Sequence, residues 1–228
     1  MKKFLVIIPA RSGSKGLQNK NILLLKNKPL IHYTIDAARN VFSDKQIRVS
    51  TDCEKIKLIS EQTGIKINSL RPKSLAQDNS STYDVIINEI NEFEKNHGAV
   101  EVVVLLQPTS PLRNSNHIRE ALALFNNKID MVVSVKKTHS NPYFNLFEEN
   151  KLGYLKKVKK VNFSRRQDCP DVWEYNGSIY IMNVKSLKKM NFNQFKKIKK
   201  YVMDDYHSVD IDNEIDFKLC NVLLNENN

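Results

Sequence analysis

A glycine- and serine-rich loop with three cations follows the first apolar run of the chain. Its sequence is Ala10-Arg11-Ser12-Gly13-Ser14-Lys15-Gly16-Leu17-Gln18-Asn19-Lys20-Asn21. Small residues let backbone amides approach an anion, and Arg11, Lys15 and Lys20 can neutralise it. Like charges that cluster repel one another unless a counter-anion is expected, so a plain polar connection is the weaker interpretation. The loop therefore predicts a triphosphate site.

The loop matches neither common phosphate motif. It lacks the glycine spacing and the Lys-Ser/Thr ending of a Walker A loop, and Gly13 and Gly16 do not complete a dinucleotide G-x-G-x-x-G. The anion site must therefore be interpreted from the residues themselves.

Two carboxylates near the end of the chain, Asp210 and Asp212, are separated by Ile211. Successive side chains alternate across an extended segment, so both carboxylates should face one side while Ile211 anchors the other. Such a pair suits Mg²⁺, which takes a few carboxylates together with phosphate oxygens. The alternative for Asp212 is that it caps a helix starting at Asn213, and both roles are compatible.

A second polar segment leads from Arg71 to Ser80 and Ser81. Ser81 and Asp84 form an S-x-x-D capping box, which predicts the start of a helix. A helix N-terminus also offers amides to a base carbonyl or a phosphate, so capping and ligand binding can coexist.

Strand-like apolar runs alternate with helical patterns and must position these residues. The predicted strands are Phe4 to Ile8, Ile47 to Ser50, Ile65 to Leu70, Val102 to Leu106, Met131 to Val135 and Ser178 to Asn183. The alternation predicts an α/β fold, a mostly parallel sheet with helices on both faces. Ligands bind beyond the carboxyl ends of such strands, where the polar segments should converge.

The alternation lapses from about Lys136 to Asn176. So many residues without a partner of their own are unusual in a compact domain. We interpret residues 1–228 as one domain with an inserted lobe at about 136–176, which packs over the site or against a second subunit.

Composition points to a globular protein. The 228 residues are 41% hydrophobic and carry a formal net charge of +11, with no apolar run near the ~20 residues of a membrane span. The excess charge lies in lysine runs without a nucleic-acid-binding motif, so no nucleic-acid partner is expected. Cys53, Cys169 and Cys220 show no metal-ligand spacing, which favours a reducing cytoplasm.

The loop resembles the signature of the CMP-sialic acid synthetases, the acylneuraminate cytidylyltransferases. The matching run is Ala10-Arg11-x-x-Ser14-Lys15-Gly16-Leu17-x-x-Lys20-Asn21, with Gln18 where a proline is usual, and further matches extend to Asp210 and Asp212. The resemblance implies a Rossmann-like fold of the nucleotide-diphospho-sugar transferase type. It also implies a homodimer whose inserted lobe reaches the partner's site.

The same resemblance implies roles for single residues. Arg11, Lys20 and Asp210 would be catalytic, and Asp210 and Asp212 would hold Mg²⁺, with Mn²⁺ as the alternative ion. The nucleotide-binding residues would be Ala10, Ser14, Lys15, Gly16, Asn21, Arg71, Ser80 and Ser81. The sugar-binding residues would be Gln107, Arg166, Asn176 and Tyr180, with Arg166 pairing with the sugar carboxylate.

The implied reaction transfers CMP from CTP to the anomeric hydroxyl of an acidic nine-carbon sugar, with N-acylneuraminate as the first candidate. The sequence departs from neuraminate enzymes at Asn141-Pro142-Tyr143-Phe144, where His-Pro-x-Lys is frequent, and this run is similar to the legionaminate branch. The alternatives are a CMP-legionaminate synthetase, a CMP-octulosonate synthetase and, from another class, a basic nucleic-acid-binding protein.

Overall fold

The computed structural model describes residues 3–13, 16–77, 80–161 and 163–226. The strands are β1 (Phe4–Pro9), β2 (Leu24–Leu25), β3 (Lys28–Pro29), β4 (Ile47–Ser50), β5 (Val102–Leu106), β6 (Met131–Lys137), β7 (Phe147–Glu149), β8 (Leu155–Lys157), β9 (Trp173–Asn183) and β10 (Ile198–Val202). The helices are α1 (Leu30–Arg39), α2 (Glu54–Glu61), α3 (Thr82–His97), α4 (Ser115–Ala123), α5 (Val184–Leu187) and α6 (Glu214–Glu226).

Six strands form the central sheet in the order β10-β6-β9-β5-β1-β4. β1 pairs in parallel with β4 and β5, and β10 pairs in parallel with β6. β9 alone runs antiparallel to both of its neighbours, β5 and β6. The amino-terminal half of β9 therefore lies at the same edge as the carboxyl ends of β1, β4 and β5.

Both faces of the sheet are covered, as the sequence predicts. Along β1, Val6 and Ile8 pack into one apolar cluster with α1 and α4, while Leu5 and Ile7 pack into another with α3. This alternation follows from the period of two residues along a strand. A third cluster joins Ile211 to α1 and α6 and so anchors the segment between Asp210 and Asp212.

Two strand predictions require correction. Residues 65–70 form no strand, although Ile65 and Ile67 are buried, because β4 is the edge of the sheet and Ile67 N–H donates to Glu61 Oε1 at 3.0 Å instead of to a ladder. β9 starts at Trp173, five residues before the predicted start at Ser178.

The predicted lobe corresponds to the chain between β6 and β9. β6 extends to Lys137 and β9 starts at Trp173, so both ends of the lobe belong to the central sheet. The part between them contains a separate two-stranded sheet, β7 and β8, paired antiparallel. No helix among the described residues is long and apolar enough to cross a membrane.

Candidate active site

A cavity of about 460 Å³ opens at the carboxyl ends of β1 and β5. Its walls come from the loop that follows β1, the end of β5, β9 and the segment that carries the two carboxylates. The residues that line it are Pro9, Arg11, Gly16, Lys20, Asn21, Gln107, Pro108, Thr109, Gly177, Asp210 and Asp212. The structure therefore brings cations and carboxylates of the sequence analysis together in one cavity.

A second cavity of about 240 Å³ adjoins the first and shares Pro9, Arg11 and Gln107 with it. Its other walls are Arg71, Leu75, Gln77, Ser80, Thr82 and Val85. Arg71 is held firmly, because its Nε donates to Ser50 Oγ at 3.0 Å and its Nη2 to the Ser50 carbonyl at 2.6 Å. Burial lowers the pKa of the Arg71 guanidinium.

The loop after β1 packs directly against the carboxylate segment. A Cβ added to Gly16 would lie 2.2 Å from the carbonyl oxygen of Asp212, so only glycine fits there. Lys20 Nζ pairs with Asp212 Oδ1 at 2.9 Å, and Asn21 Nδ2 donates to the Arg11 carbonyl at 3.0 Å. Two further predicted loop residues, Ser14 and Lys15, lie outside the described residues.

Asp210 and Asp212 face the same cavity, while Ile211 is fully buried. Asp210 is the less accessible carboxylate, and burial raises its pKa, with the charge of Asp212 adding to the shift. A hydrogen bond with Thr109 and the charge of Lys20 oppose that rise.

The carboxylate pair fits a divalent cation. Asp210 Oδ1 is buried and has no hydrogen-bond partner among the described residues, which is costly for a carboxylate in a protein interior. The described part of the chain contains no group of three or more His, Cys, Asp or Glu residues that could hold a metal ion. An ion here would therefore take two carboxylates and complete its shell with substrate oxygens or water, as Mg²⁺ prefers.

The prediction that Asp212 caps the last helix is wrong. Asn213 does so, since its Oδ1 accepts from the N–H groups of Ile215 at 2.8 Å and Asp216 at 3.2 Å. Asp212 is left to interact with Lys20 and the cavity.

Position 177, directly after Asn176, requires a glycine for two reasons. Its φ is +73°, and a Cβ there would lie 2.9 Å from Asp210 Oδ2. β9 bulges at this point, because its register with β6 shifts between Val133 and Val135. The bulge brings the backbone of β9 against the Asp210 carboxylate.

Asn176 holds this bulge and lies in the interior. Its Oδ1 accepts from Ser134 Oγ at 2.6 Å, and its Nδ2 donates to Ser208 Oγ at 2.9 Å. It is 3% exposed and lines neither cavity, so the structure does not bring it into reach of a sugar.

The remaining predicted sugar contacts are divided between three places. Gln107 lies where the two cavities meet. Tyr180 lines neither of them, and burial, together with the charge of Asp210, raises its pKa to about 12. Arg166, which belongs to the lobe, lines a separate cavity of about 840 Å³, where its Nη2 lies 3.1 Å from His139 Nδ1.

Three predicted nucleotide contacts have local roles. Ala10 is buried, with its N–H bonded to the Ser50 carbonyl at 2.8 Å. Ser81 caps α3 as predicted, accepting from Asp84 N–H at 3.1 Å. Ser80 lines the second cavity, and its Oγ donates to the Ser74 carbonyl at 2.9 Å.

Two residues of the segment after β5 were not singled out from the sequence. Thr109 lines the first cavity and hydrogen-bonds Asp210. Arg113 is 2% exposed and donates to the carbonyls of Gln107 and Ser178, and burial lowers its pKa to about 9. The position of Thr109 shortly after a buried strand is a signal that could have identified it. Nothing in the sequence indicates which groups Arg113 contacts.

Taken together, the site can bind a polyanion on Arg11 and Lys20, a cation on Asp210 and Asp212, and a further polar group beside Arg71 and Ser80. Gln107 lies between the last two regions. This is the arrangement needed to hold a nucleoside triphosphate next to an acceptor.

Comparison with known proteins agrees with this geometry. The sequence model of the cytidylyltransferase family matches residues 5–228. N-acylneuraminate cytidylyltransferase of Streptococcus agalactiae is 37% identical over 221 residues, which cover 94% of this chain and 52% of that protein. CMP-N,N'-diacetyllegionaminic acid synthase of Legionella pneumophila is 32% identical over 226 residues, which cover 99% of this chain and 97% of that protein.

The chain thus spans about half the length of the streptococcal relative and nearly the whole of the Legionella one. Among solved structures, CMP:2-keto-3-deoxy-manno-octonic acid synthetase in complex with CTP matches all of both chains with a TM-score of 0.74 and 16% identity. That likeness shows a shared fold, and the family model and the sequence relatives show the family. The chain belongs to the cytidylyltransferase family.

Proposed function

We propose that the protein transfers CMP from CTP to the anomeric hydroxyl of a nonulosonic acid and releases pyrophosphate. The observation that carries the proposal is the pair of adjoining cavities, which share Arg11, with Lys20, Asp210 and Asp212 lining the first of them. The second cavity would take the cytosine and the first the triphosphate and the sugar. The names of the relatives from Streptococcus and Legionella support the substrate class.

The reaction needs positioning and charge stabilisation more than covalent chemistry. The sugar hydroxyl oxygen forms a bond to the α-phosphorus, and the bond from that phosphorus to the departing pyrophosphate breaks. Arg11 and Lys20 would stabilise the charge that develops on the pyrophosphate. Gln107 would orient the sugar, since it lies between the two cavities.

Asp210 and Asp212 would hold Mg²⁺, with Mn²⁺ as the alternative ion. When bound, the ion supplies positive charge to the phosphate oxygens and lowers the pKa of a coordinated hydroxyl. Lys20 pairs with Asp212 at 2.9 Å in the structure, so this lysine would exchange Asp212 for phosphate in the loaded site.

N-acylneuraminate is the first candidate for the sugar. N,N'-diacetyllegionaminate is the second candidate, because the Legionella relative has nearly the same length as this chain and Tyr143-Phe144 replaces a position where a cation is frequent. We place the reaction in the cytoplasm, where CTP is available, which also suits three cysteines without disulfides.

We also propose that the protein works as a homodimer. Arg166 lies in the lobe and outside the two adjoining cavities, so it would reach a sugar carboxylate in the partner's site. The exposed apolar side chains of the lobe, such as Leu152 at 79% and Leu155 at 71%, support an interface there.

The test is pyrophosphate release from CTP with N-acetylneuraminate, N,N'-diacetyllegionaminate and an octulosonate as acceptors, in the presence of Mg²⁺. The proposal expects turnover with at least one nine-carbon acid and little with the eight-carbon acid. Absence of turnover with all three, together with salt-sensitive RNA binding, would instead support a nucleic-acid-binding protein.

A further inference from the structure

Ser12, the residue after Arg11, makes two hydrogen bonds to one carboxylate. Its N–H donates to Asp52 Oδ1 at 2.9 Å, and its Oγ donates to Asp52 Oδ2 at 2.7 Å. The two residues are 40 positions apart in the chain, so the contact joins the loop after β1 to the end of β4. Neither residue lines the two adjoining cavities.

Asp52 follows a strand end that backbone hydrogen bonds hold in place. The β4 end is bonded on both sides, since Ala10 N–H donates to the Ser50 carbonyl at 2.8 Å and Arg71 N–H to the Thr51 carbonyl at 2.7 Å. A carboxylate fixed in this way can orient a neighbouring loop rather than follow it.

The carboxylate of Asp52 is kept ionised. Burial acts to raise its pKa, but the two hydrogen bonds from Ser12 and the charge of Arg71 outweigh burial, so the pKa is lowered. Hydrogen bonds to an ionised acceptor are roughly twice as strong as neutral ones, which suits a lasting contact.

The peptide unit between Arg11 and Ser12 is thereby held at both of its polar ends. Its carbonyl accepts from Asn21 Nδ2 at 3.0 Å, and its N–H donates to Asp52. This is the peptide unit that sets the direction of the Arg11 side chain, which lines both cavities.

We propose that Ser12 and Asp52 form a positioning pair that fixes Arg11 for the triphosphate of CTP. Asp52 acts through Ser12 and touches no substrate. The proposal rests on the proposed function, because it assigns the ligand of Arg11 as CTP.

A purely electrostatic role of Asp52 makes the opposite prediction. A carboxylate that only adds negative charge near a triphosphate would weaken CTP binding, so its neutralisation would improve kcat/KM for CTP. A positioning role predicts that the same change impairs it. The sign of the effect therefore separates the two.

The experiment compares kcat and KM for CTP and for the sugar in wild type, Asp52→Asn, Ser12→Ala and the double variant. We expect Asp52→Asn to lower kcat/KM for CTP about tenfold, the scale of a hydrogen bond to a charged group, with Ser12→Ala less severe. The double variant should match Asp52→Asn, because both changes break one contact. The loss should fall on KM for CTP, with KM for the sugar within about twofold, whereas a smaller folded fraction would lower kcat and leave both KM values unchanged.

Two further variants complete the test. In an Arg11→Ala background, Asp52→Asn should have no further effect on kcat/KM for CTP, because the residue through which it acts is gone. Asp44→Asn is the matched control, since Asp44 likewise accepts two hydrogen bonds from one residue, Arg39, at 2.8 and 2.6 Å, but lines neither cavity.

An improved kcat/KM in Asp52→Asn, multiplicative effects in the double variant, or a full Asp52 effect without Arg11 would each overturn the proposal. Failure of the proposed function shows differently, as an absence of CTP turnover in wild type.

Discussion

At the scale of single residues, the carboxylate of Asp210 is a charge that burial disfavours. Burial raises its pKa, so folding is more favourable when it is protonated. This part of the stability is present below the pKa of an unfolded aspartate and is lost as the pH rises through the higher pKa of the folded state. At neutral pH the protein therefore stores an electrostatic cost at the position proposed to hold a cation.

Asp210→Asn should remove that cost. We expect a higher Tm than wild type near pH 7 and a smaller difference near pH 4, because asparagine keeps the volume but not the charge. Mg²⁺ should raise the Tm of wild type more than that of the variant, and CTP turnover of the variant should fall by about two powers of ten. Thermal melts at several pH values, with and without Mg²⁺, provide the measurement. A variant that is less stable at pH 7 and equally stabilised by Mg²⁺ would show that Asp210 is structural.

Lys20 has a partner that the reaction must replace. Its ammonium is mostly buried and pairs with Asp212, whose side chain is 75% exposed. Lys20→Ala should lower kcat by about two to three powers of ten, the scale of losing one transition-state donor. Lys95→Ala is the control, because Lys95 also pairs with a carboxylate, Glu92, but on the surface of α3. Turnover of Lys20→Ala within about threefold of wild type would remove Lys20 from the mechanism.

At the scale of elements, the loop after β1 and the segment from Asp210 to Asp212 meet at Gly16. Since a Cβ would lie 2.2 Å from the backbone oxygen of Asp212, no rotamer change can relieve the clash. Gly16→Ala should push the loop and the carboxylate segment apart and lower kcat/KM for CTP by about tenfold or more.

The same loop supplies the control for Gly16→Ala. A Cβ on Gly13 would meet nothing within 4 Å, so Gly13→Ala should leave kcat/KM within about twofold. Steady-state kinetics of both variants, with KM for CTP and the Mg²⁺ requirement measured separately, compare them. Equal effects of the two changes would contradict the close approach at Gly16.

The sequence predicts the elements that have a full apolar pattern. β4 and β5 lie where their apolar runs predict them, because most of their side chains are buried. β4 and β10 are both edge strands, but β10 has no apolar run, since only Tyr201 of its five residues is buried. The lysines of β10 are exposed, and its backbone still pairs with β6.

The residues of the site likewise divide into those whose placement the sequence predicts and those whose placement it does not. The common face of Asp210 and Asp212 follows from the period of a strand and is confirmed. The inward turn of Asn176 and the contact between Ser12 and Asp52 could not be predicted, because each depends on which segments the fold brings together over 40 or so residues.

At the scale of the whole molecule, the lobe between β6 and β9 has large apolar side chains that are exposed to solvent. Its two strands have three residues each, and a two-stranded hairpin alone is marginally stable in water. Leu152 and Leu155 are exposed at 79% and 71%. In the homodimer proposed above, the second copy would bury them, and Arg166 would reach the other subunit's active site.

This interface is tested by replacing Leu155. Leu155→Glu should convert a dimer into a monomer in sedimentation velocity at micromolar concentration and lower kcat/KM for the sugar, because a buried charge opposes association. Ile215→Glu is the matched control, since Ile215 on α6 is 77% exposed and lies outside the lobe. A wild-type protein that is monomeric and fully active would rule out the shared site.

The shared site makes a sharper prediction for mixed subunits, because Arg166 and Asp210 would then serve the same site from different chains. Arg166→Ala and Asp210→Asn should each have low turnover alone. Mixed and allowed to exchange, they should recover up to about a quarter of wild-type activity, since half of the dimers would be mixed and each of those would have one intact site. Pyrophosphate release measured against time after mixing follows this recovery. Asp210→Asn mixed with wild type, in place of Arg166→Ala, gives the upper reference. No recovery above the activity of the separate variants would mean that Arg166 does not act across subunits.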